Sequence, residues 1–171
     1  PATLTSLRIR NLALVEELTW RLNPGFTAIT GETGSGKSII LGALKLILGE
    51  RADKSLIRTG AENCTVEAVF DFPPEEAATL NGWLEEQGAE ACEGGQLLLK
   101  RSFTPGGANR QFINASPTTL SVLKNLGETL VDLHGPHDHQ SLLSTEKQRD
   151  LLDAFAGAAP LRRAYETQYR V

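Results

Sequence analysis

The sequence has little that would support a disulfide framework, a metal cluster or a membrane span. Of its 171 residues only two are cysteine, and Cys64 and Cys92 lack the spacing of a metal site. No apolar run approaches the roughly 20 residues that a membrane helix requires. The first residues also lack a basic segment followed by an apolar stretch. We therefore expect reduced cysteines at packing or surface positions, no membrane partner and a cytoplasmic protein.

The chain also has no excess of positive charge. Its formal net charge is −4, with 40% hydrophobic and 22% charged residues. This composition is typical of a globular domain with a hydrophobic core. A negative balance argues against a broad electrostatic footprint for nucleic acid. Any DNA contact is therefore expected to be local or to lie elsewhere in a longer protein.

A glycine-rich segment gives the strongest functional signal. It fits the P-loop pattern of glycine, four residues and Gly-Lys-Ser, with the residues Gly31, Glu32, Thr33, Gly34, Ser35, Gly36, Lys37 and Ser38. The β-branched and aromatic residues 26–30 before it predict a strand. The apolar residues at helical spacing from Ile39 onward predict a helix. A strand, a loop and a helix in this order are the context that a P-loop requires.

These residue types suit a nucleoside triphosphate. Glycines let consecutive amides approach phosphate oxygens, and a helix that begins near Lys37 and includes Ile39 adds unpaired N–H groups. Lys37 can reach the β- and γ-phosphates as the catalytic cation, and the Ser38 hydroxyl can bind Mg²⁺. The segment therefore predicts ATP and Mg²⁺ as cofactors. The alternative is a glycine-rich turn before an ordinary helix, with Lys37 on a solvated face.

Hydrophobic periodicity predicts the surrounding elements. Residues 6–10 and 18–22 alternate apolar and polar side chains, which predicts an antiparallel pair of strands before the P-loop. Further predictions are a strand over 66–72, a helix over 75–87, a hairpin of 96–103 with 110–114, a helix from Ser116-Pro117 to about Gly127, a strand over 130–134, a helix from about 144 to 157 and a polar helix from Pro160.

Several phrases of the sequence resemble one protein family. They are residues 7–15, 25–38, 48–53, 56–60 and the histidine-rich segment 133–143. Together they resemble the RecN family of bacterial DNA-repair proteins, which are SMC-like ATPases with ABC-type heads. The resemblance covers essentially the whole chain. It implies an α/β P-loop NTPase fold of the ABC/SMC-head type with an antiparallel β addition. Residues 1–159 would form the N-terminal lobe, and residues 160–171 would begin a coiled-coil helix.

The resemblance also implies a function in DNA double-strand-break repair and recombination. ATP held between two heads would drive their dimerisation, and hydrolysis would release them. The implied partners are the C-terminal lobe of the same head, a second head in a homodimer and DNA bound by the full-length protein, which would be nucleoid-associated. The family's Ser-Gly-Gly signature, Walker B Asp-Glu and switch histidine belong to the second half of the head, so this chain alone is expected to be inactive. A self-contained P-loop kinase and a non-catalytic ATP-binding module are the alternatives.

The resemblance assigns roles to further residues. Arg10 and Asn11 would approach the nucleotide, and Arg51 and Arg58 lie where such heads place a basic residue that senses DNA or the γ-phosphate. Solvated surface arginines are the alternative.

The Q-loop of this family would fall in the histidine-rich segment. Pro136 occupies the position expected for its glutamine, so Gln140 or His137 would have to take the catalytic role near Mg²⁺. The histidines at 134, 137 and 139, with Asp132 and Asp138, could instead hold a metal or form structural hydrogen bonds, although their spacing fits no common zinc site. Asp132 could also be read as a Walker B residue at the end of a strand, but Leu133 and not an acid follows it.

Overall fold

The computed structural model describes residues 2–23, 26–29 and 36–132. Its strands are β1 (Thr3–Leu12), β2 (Val15–Asn23), β3 (Phe26–Ile29), β4 (Cys64–Asp71), β5 (Gln96–Phe103), β6 (Asn109–Ile113) and β7 (Ser116–Thr118), and its helices are α1 (Gly36–Ile47), α2 (Pro74–Glu86) and α3 (Leu120–Asp132). These strands form one sheet in the order β3-β2-β1-β4-β5-β6-β7, and every neighbouring pair is antiparallel. The predicted antiparallel strands before the P-loop, the strand over 66–72, the helix over 75–87 and the β5–β6 hairpin are all confirmed.

Period-two alternation buries one face of the sheet. Along β4, Cys64, Val66, Ala68 and Phe70 are buried, and the residues between them are only partly buried. Strand β1 likewise buries Leu7 and Ile9 while its arginines face solvent. The period of two is what a half-buried strand requires, because successive side chains point to opposite faces. The helices supply the other side of this core through apolar residues at helical spacing.

Helix α1 is held in place by its apolar stripe and by its C-terminal turn. Ile40, Ala43 and Ile47 are almost fully buried. At the C-terminus, the Gly49 N–H donates to the Leu46 carbonyl at 3.2 Å and the Glu50 N–H donates to the Lys45 carbonyl at 3.0 Å. This is a Schellman motif, and Gly49 adopts the positive φ of 98° that the motif requires.

Helix α3 lies very close to this turn. A Cβ placed on Gly49 would lie 2.6 Å from the Lys124 Cα, and one placed on Gly127 would lie 3.0 Å from the Leu48 carbonyl oxygen. Two glycines, one on each partner, therefore permit the close approach of α3 to the end of α1.

The helix predicted over residues 116–127 is present, but both of its ends were predicted wrongly. Ser116 and Pro117 belong to strand β7, and the helix begins at Leu120, where the Thr119 hydroxyl accepts a hydrogen bond from the Val122 N–H at 3.1 Å. Thr119 is therefore the N-cap. Gly127 lies inside the helix, which continues to Asp132.

The strand predicted over 130–134 was also wrong for its described part. Residues 130–132 form the last turn of α3, which removes the Walker B interpretation of Asp132, since that interpretation needs a strand. Residues 133–134 lie outside the described part of the chain, as do the helices predicted over 144–157 and from Pro160.

Both cysteines are free, as predicted, and both are buried. Burial raises the pKa of the Cys64 thiol to about 12 and also raises the pKa of Cys92. Neither group is ionised near neutral pH, which suits a role in packing. In the described residues, no helix has the length and hydrophobicity to cross a membrane.

Candidate nucleotide-binding site

The start of α1 lies where the sequence predicts the end of the P-loop. Strand β3 ends at Ile29 and the helix begins at Gly36. Residues 30–35 lie outside the described part of the chain, and so do the side chains of Lys37 and Ser38. The backbone places Gly36, Lys37 and Ser38 in the first helical turn, where N–H groups have no partner within the helix.

The electrostatics of this helix end favour an anion. The first turn of α1 contains no acidic residue, so no carboxylate of that turn competes for its N–H groups and for the positive end of the helix dipole. Lys45, in the last turn, lies at the opposite end of the dipole, where a cation is favourable. The side chain of Ile39 is buried, so its predicted contribution to binding can come only from its backbone N–H.

The direction of β3 bears on two further predicted residues, Arg10 and Asn11. Strand β3 runs antiparallel to β2, with Ile29 paired to Trp20. The chain leaving β3 therefore heads toward the end of the sheet that carries the turn between β1 and β2. Arg10 and Asn11 lie immediately before that turn, where the resemblance predicted a contribution to nucleotide binding.

The turn at Asn11 contacts the segment that contains Arg58. The Arg58 N–H donates to the Asn11 carbonyl at 2.9 Å, and the Ala13 N–H donates to the Leu56 carbonyl at 2.6 Å. Leu12 and Ile57 pair as an isolated bridge between these two hydrogen bonds. Two stretches far apart in sequence are thus joined through their backbones.

The backbone of this turn adopts an uncommon conformation. Asn11 has φ 58° and Ala13 has φ 52°. Asparagine tolerates the left-handed region, whereas alanine is disfavoured there by about 1–2 kcal/mol. The hydrogen bonds with the Leu56 carbonyl and the Arg58 N–H hold the turn in this geometry. Strained backbone of this kind clusters at functional sites.

The predicted basic residues differ in their positions. Arg10 and Arg51 are exposed and Arg58 is partly buried. None of these three side chains forms a hydrogen bond or ion pair with another residue in the described ranges. The structure joins the Asn11 turn to the Arg58 backbone, whereas no described contact links Arg51 to either. His137 and Gln140 lie outside the described part of the chain, so both Q-loop candidates remain predictions.

Sequence reasoning missed Arg101, a fully buried arginine on β5. Its Nη1 donates to the Leu46 carbonyl at 2.9 Å and to the Glu50 carbonyl, both at the C-terminal end of α1. Its Nη2 donates to Asn109 Oδ1 at 3.2 Å. The signal for it was available in the alternation of β5, because Arg101 occupies an inward position in series with Leu97, Leu99 and Phe103.

Comparison with known proteins identifies the family. A family model described as an AAA domain matches residues 6–152. This chain belongs to the AAA domain family. Nearly its whole length is similar to proteins named DNA repair protein RecN. It is 43% identical over 167 residues to the DNA repair protein RecN of Vibrio cholerae, covering 98% of this chain and 29% of the relative. The corresponding protein of Streptomyces coelicolor is 40% identical over 167 residues, covering 96% and 28%. The chain thus spans less than a third of these relatives.

Solved structures agree on the fold. A structure from a study of ATP-driven dimerization and DNA-stimulated activation of SMC ATPases matches with a TM-score of 0.54 at 21% identity, covering 88% of this chain and 96% of the other. The Smc head domain of Pyrococcus furiosus, bound to the C-terminal domain of ScpA, matches with a TM-score of 0.53 at 22% identity, covering 73% and 32%. At these identities the likeness concerns the fold alone, and it confirms the predicted fold of the SMC-head type.

Proposed function

We propose that this chain is the ATP-binding lobe of an ABC-type head in a RecN-like protein of DNA double-strand-break repair. The observation that carries the proposal is the start of α1 at Gly36, inside the Gly-x4-Gly-Lys-Ser pattern and free of acidic residues in its first turn. The family match over residues 6–152 and the position of β3 directly before the loop support it.

The residues present suit ATP and Mg²⁺. The first turn of α1 offers N–H groups and a favourable dipole for phosphate oxygens, Lys37 would neutralise phosphate charge, and the Ser38 hydroxyl would be a ligand to Mg²⁺. Bound Mg²⁺ would supply charge neutralisation between the β- and γ-phosphates. The remaining residues proposed for nucleotide binding are Gly31, Glu32, Thr33, Gly34, Ser35, Arg10 and Asn11.

We further propose that hydrolysis requires groups outside this chain. Within the sequence we find no Walker B acid pair and no Ser-Gly-Gly signature. In related phosphoryl-transfer systems, one well-placed group contributes on the order of 10³ to 10⁵ in rate. The C-terminal lobe, a second head and DNA are therefore the proposed partners, with ATP-dependent dimerisation of heads as the consequence of binding.

Two lysines of α1 provide a matched test in the full-length protein. We expect Lys37→Ala to weaken Mg-ATP binding by at least about 100-fold, an amount that corresponds to about 2.8 kcal/mol. Lys45→Ala removes the same charge from the same helix at its other end and should leave the affinity within about twofold. Isothermal titration calorimetry with Mg-ATP measures both, and circular dichroism verifies that both variants are folded. Equal affinities of the two variants would contradict the P-loop assignment.

The same titration tests the metal role of Ser38. Ser38→Ala should lose affinity with Mg²⁺ present and little without it, whereas Ser38→Thr should retain the wild-type response, because it keeps the hydroxyl. An equal loss with and without Mg²⁺ would exclude the role. Turnover measured with and without DNA distinguishes an ATPase from a non-catalytic ATP-binding module.

A further inference from the structure

A buried cation contacts the end of the P-loop helix that is far from the phosphate site. Helix α1 has 12 residues, so its two ends lie about 18 Å apart. Arg101 contacts the C-terminal end through Nη1, which donates to the carbonyls of Leu46 and Glu50. The Asn109 side chain accepts from Nη2, and it also accepts from Gln111 Nε2 at 2.6 Å.

In the described residues the guanidinium forms no ion pair with a carboxylate, although the charge of Glu50 acts on it and favours its charged form. In the described ranges the ion pairs are Arg8–Glu17 and Lys100–Glu67, and neither involves Arg101. Its hydrogen bonds to the carbonyls of Leu46 and Glu50 place it at the C-terminal end of α1, which is the negative end of the helix dipole. Its Nε is buried without a hydrogen-bond partner. Burial lowers the pKa of Arg101 to about 10, so the group is still charged near neutral pH.

An arginine at this buried position costs more free energy than an apolar residue of similar size would. A buried charge carries a desolvation penalty, and well-packed apolar residues of similar size are often neutral or stabilising in its place. What an apolar residue could not do is donate to two carbonyls at once. The contacts of Arg101 therefore point to a role in holding the main chain at this position.

The two carbonyls belong to parts of the chain with different roles. Leu46 lies in α1, whose other end begins at Gly36. Glu50 begins the segment that leads to Arg58, and the Arg58 N–H holds the Asn11 turn. Arg101 thus joins the phosphate-binding helix to the segment that fixes the second half of the candidate site.

We propose that Arg101 is a positioning residue for nucleotide binding. By joining Leu46 and Glu50, it fixes α1 relative to the 50–58 segment and to the Asn11 turn that this segment holds. The proposal rests on the proposed function of residues 31–38.

The test uses the full-length protein and Mg-ATP. We expect Arg101→Met to lower the affinity about tenfold, and Arg101→Lys to recover part of the loss, because lysine keeps the charge and can donate to the same carbonyls. Leu97→Ala is the matched control, since Leu97 is fully buried on the same strand and the same face. It should lower the melting temperature while leaving the affinity within about twofold at a temperature where all variants are folded.

A pair of milder substitutions, at Asn109 and Arg110, tests the proposal if Arg101→Met does not fold. Asn109→Ala removes the acceptor of Nη2 at an exposed position and should weaken binding about two- to threefold. Arg110→Ala, at the exposed neighbouring position, should have no effect.

The outcomes separate the two proposals. If Arg101→Met and Leu97→Ala lose affinity equally at matched stability, or if Asn109→Ala equals Arg110→Ala when Arg101→Met does not fold, the positioning role is wrong. If Lys37→Ala retains wild-type affinity, the proposed function itself fails, whatever Arg101 does.

Discussion

Replacing Gly49 with alanine should destabilise the head more than the same change at any other helix-ending glycine of the described residues. Gly49 has φ 98° in the Schellman motif of α1, and an added Cβ would lie 2.6 Å from the Lys124 Cα and 2.6 Å from its nitrogen. Backbone atoms of α3 cannot rotate away as a flexible side chain could. The substitution therefore combines backbone strain with overpacking.

A second glycine, Gly88, is a control that isolates the cost of backbone strain. Gly88 ends α2 in the same motif: its N–H donates to the Glu85 carbonyl at 3.0 Å, and the Ala89 N–H donates to the Leu84 carbonyl at 2.9 Å. Gly88 has φ 73°, but a Cβ there would have no atom within 4 Å. Gly88→Ala should cost about 1–2 kcal/mol from the left-handed conformation alone. Gly49→Ala should add about 1–3 kcal/mol of overpacking, for about 2–5 kcal/mol in total.

Thermal unfolding of the full-length protein, followed by calorimetry, measures the difference. For a domain of this size, 1 kcal/mol corresponds to roughly 2–4 °C in the melting temperature of the head. Gly49→Ala should therefore melt several degrees below Gly88→Ala. Equal melting temperatures would show that α3 does not lie against the end of α1, and the close packing of the two helices would be refuted.

Two further predictions test the corrected helix boundary and the buried thiol. Thr119→Ala should lower the free energy of unfolding by about 1 kcal/mol by removing the N-cap of α3, whereas Ser116→Ala should lower it less. Equal losses of stability in chemical denaturation would support the helix start that the sequence predicted at Ser116. Cys64 should resist iodoacetamide at pH 8 in the native protein and react after unfolding, as read by mass spectrometry of its peptide. Because folding raises the Cys64 pKa from 9.0 to about 12, its contribution to stability is complete below pH 9 and is lost as the pH rises toward 12. Cys64→Ala should remove that part of the alkaline loss, and an unchanged pH dependence would contradict it.

Most strands of the sheet could be predicted from the sequence because their signals are local. Strands β1, β2, β4 and β5 alternate with a period of two, and the Pro105-Gly106-Gly107 turn joins β5 to β6. The P-loop likewise carries its own context, a strand before and a helix after. In each case residues adjacent in sequence determine the local structure.

The start of α3 was misread because Ser-Pro suits two structures. It is a good helix start, but proline is also tolerated on an edge strand, where its missing N–H costs nothing, and β7 is the outermost strand of the described sheet. Pairing of Ser116 with Ile113 decides between them. Gly127 was read as a terminator, yet the nearby Leu48 carbonyl explains a glycine there as a site of close packing. Leu130 continues the buried stripe of Leu123 and Leu126, a helical period that a short apolar run conceals.

The candidate site depends on pairings that no local pattern reveals. Asn11 and Arg58 were each singled out by resemblance, but only the structure shows that they are joined, by the hydrogen bond from the Arg58 N–H to the Asn11 carbonyl and by the bridge between Leu12 and Ile57. The Asn11 turn is not held by burial of its own tip, because Leu14 is 88% exposed. Backbone hydrogen bonds therefore fix the position of Asn11, both those with residues 56 and 58 and those of β1 with β2 and β4.

The segment of residues 50–58 follows α1 and begins at Glu50, whose carbonyl accepts a hydrogen bond from Arg101. The chain of contacts runs from helix α1 through a buried arginine to the turn at the end of β1. Every contact in this series involves a main-chain group, and Arg101 is the residue that contributes through its side chain. Substitutions of the exposed side chains along the series should therefore change binding less than a substitution of Arg101.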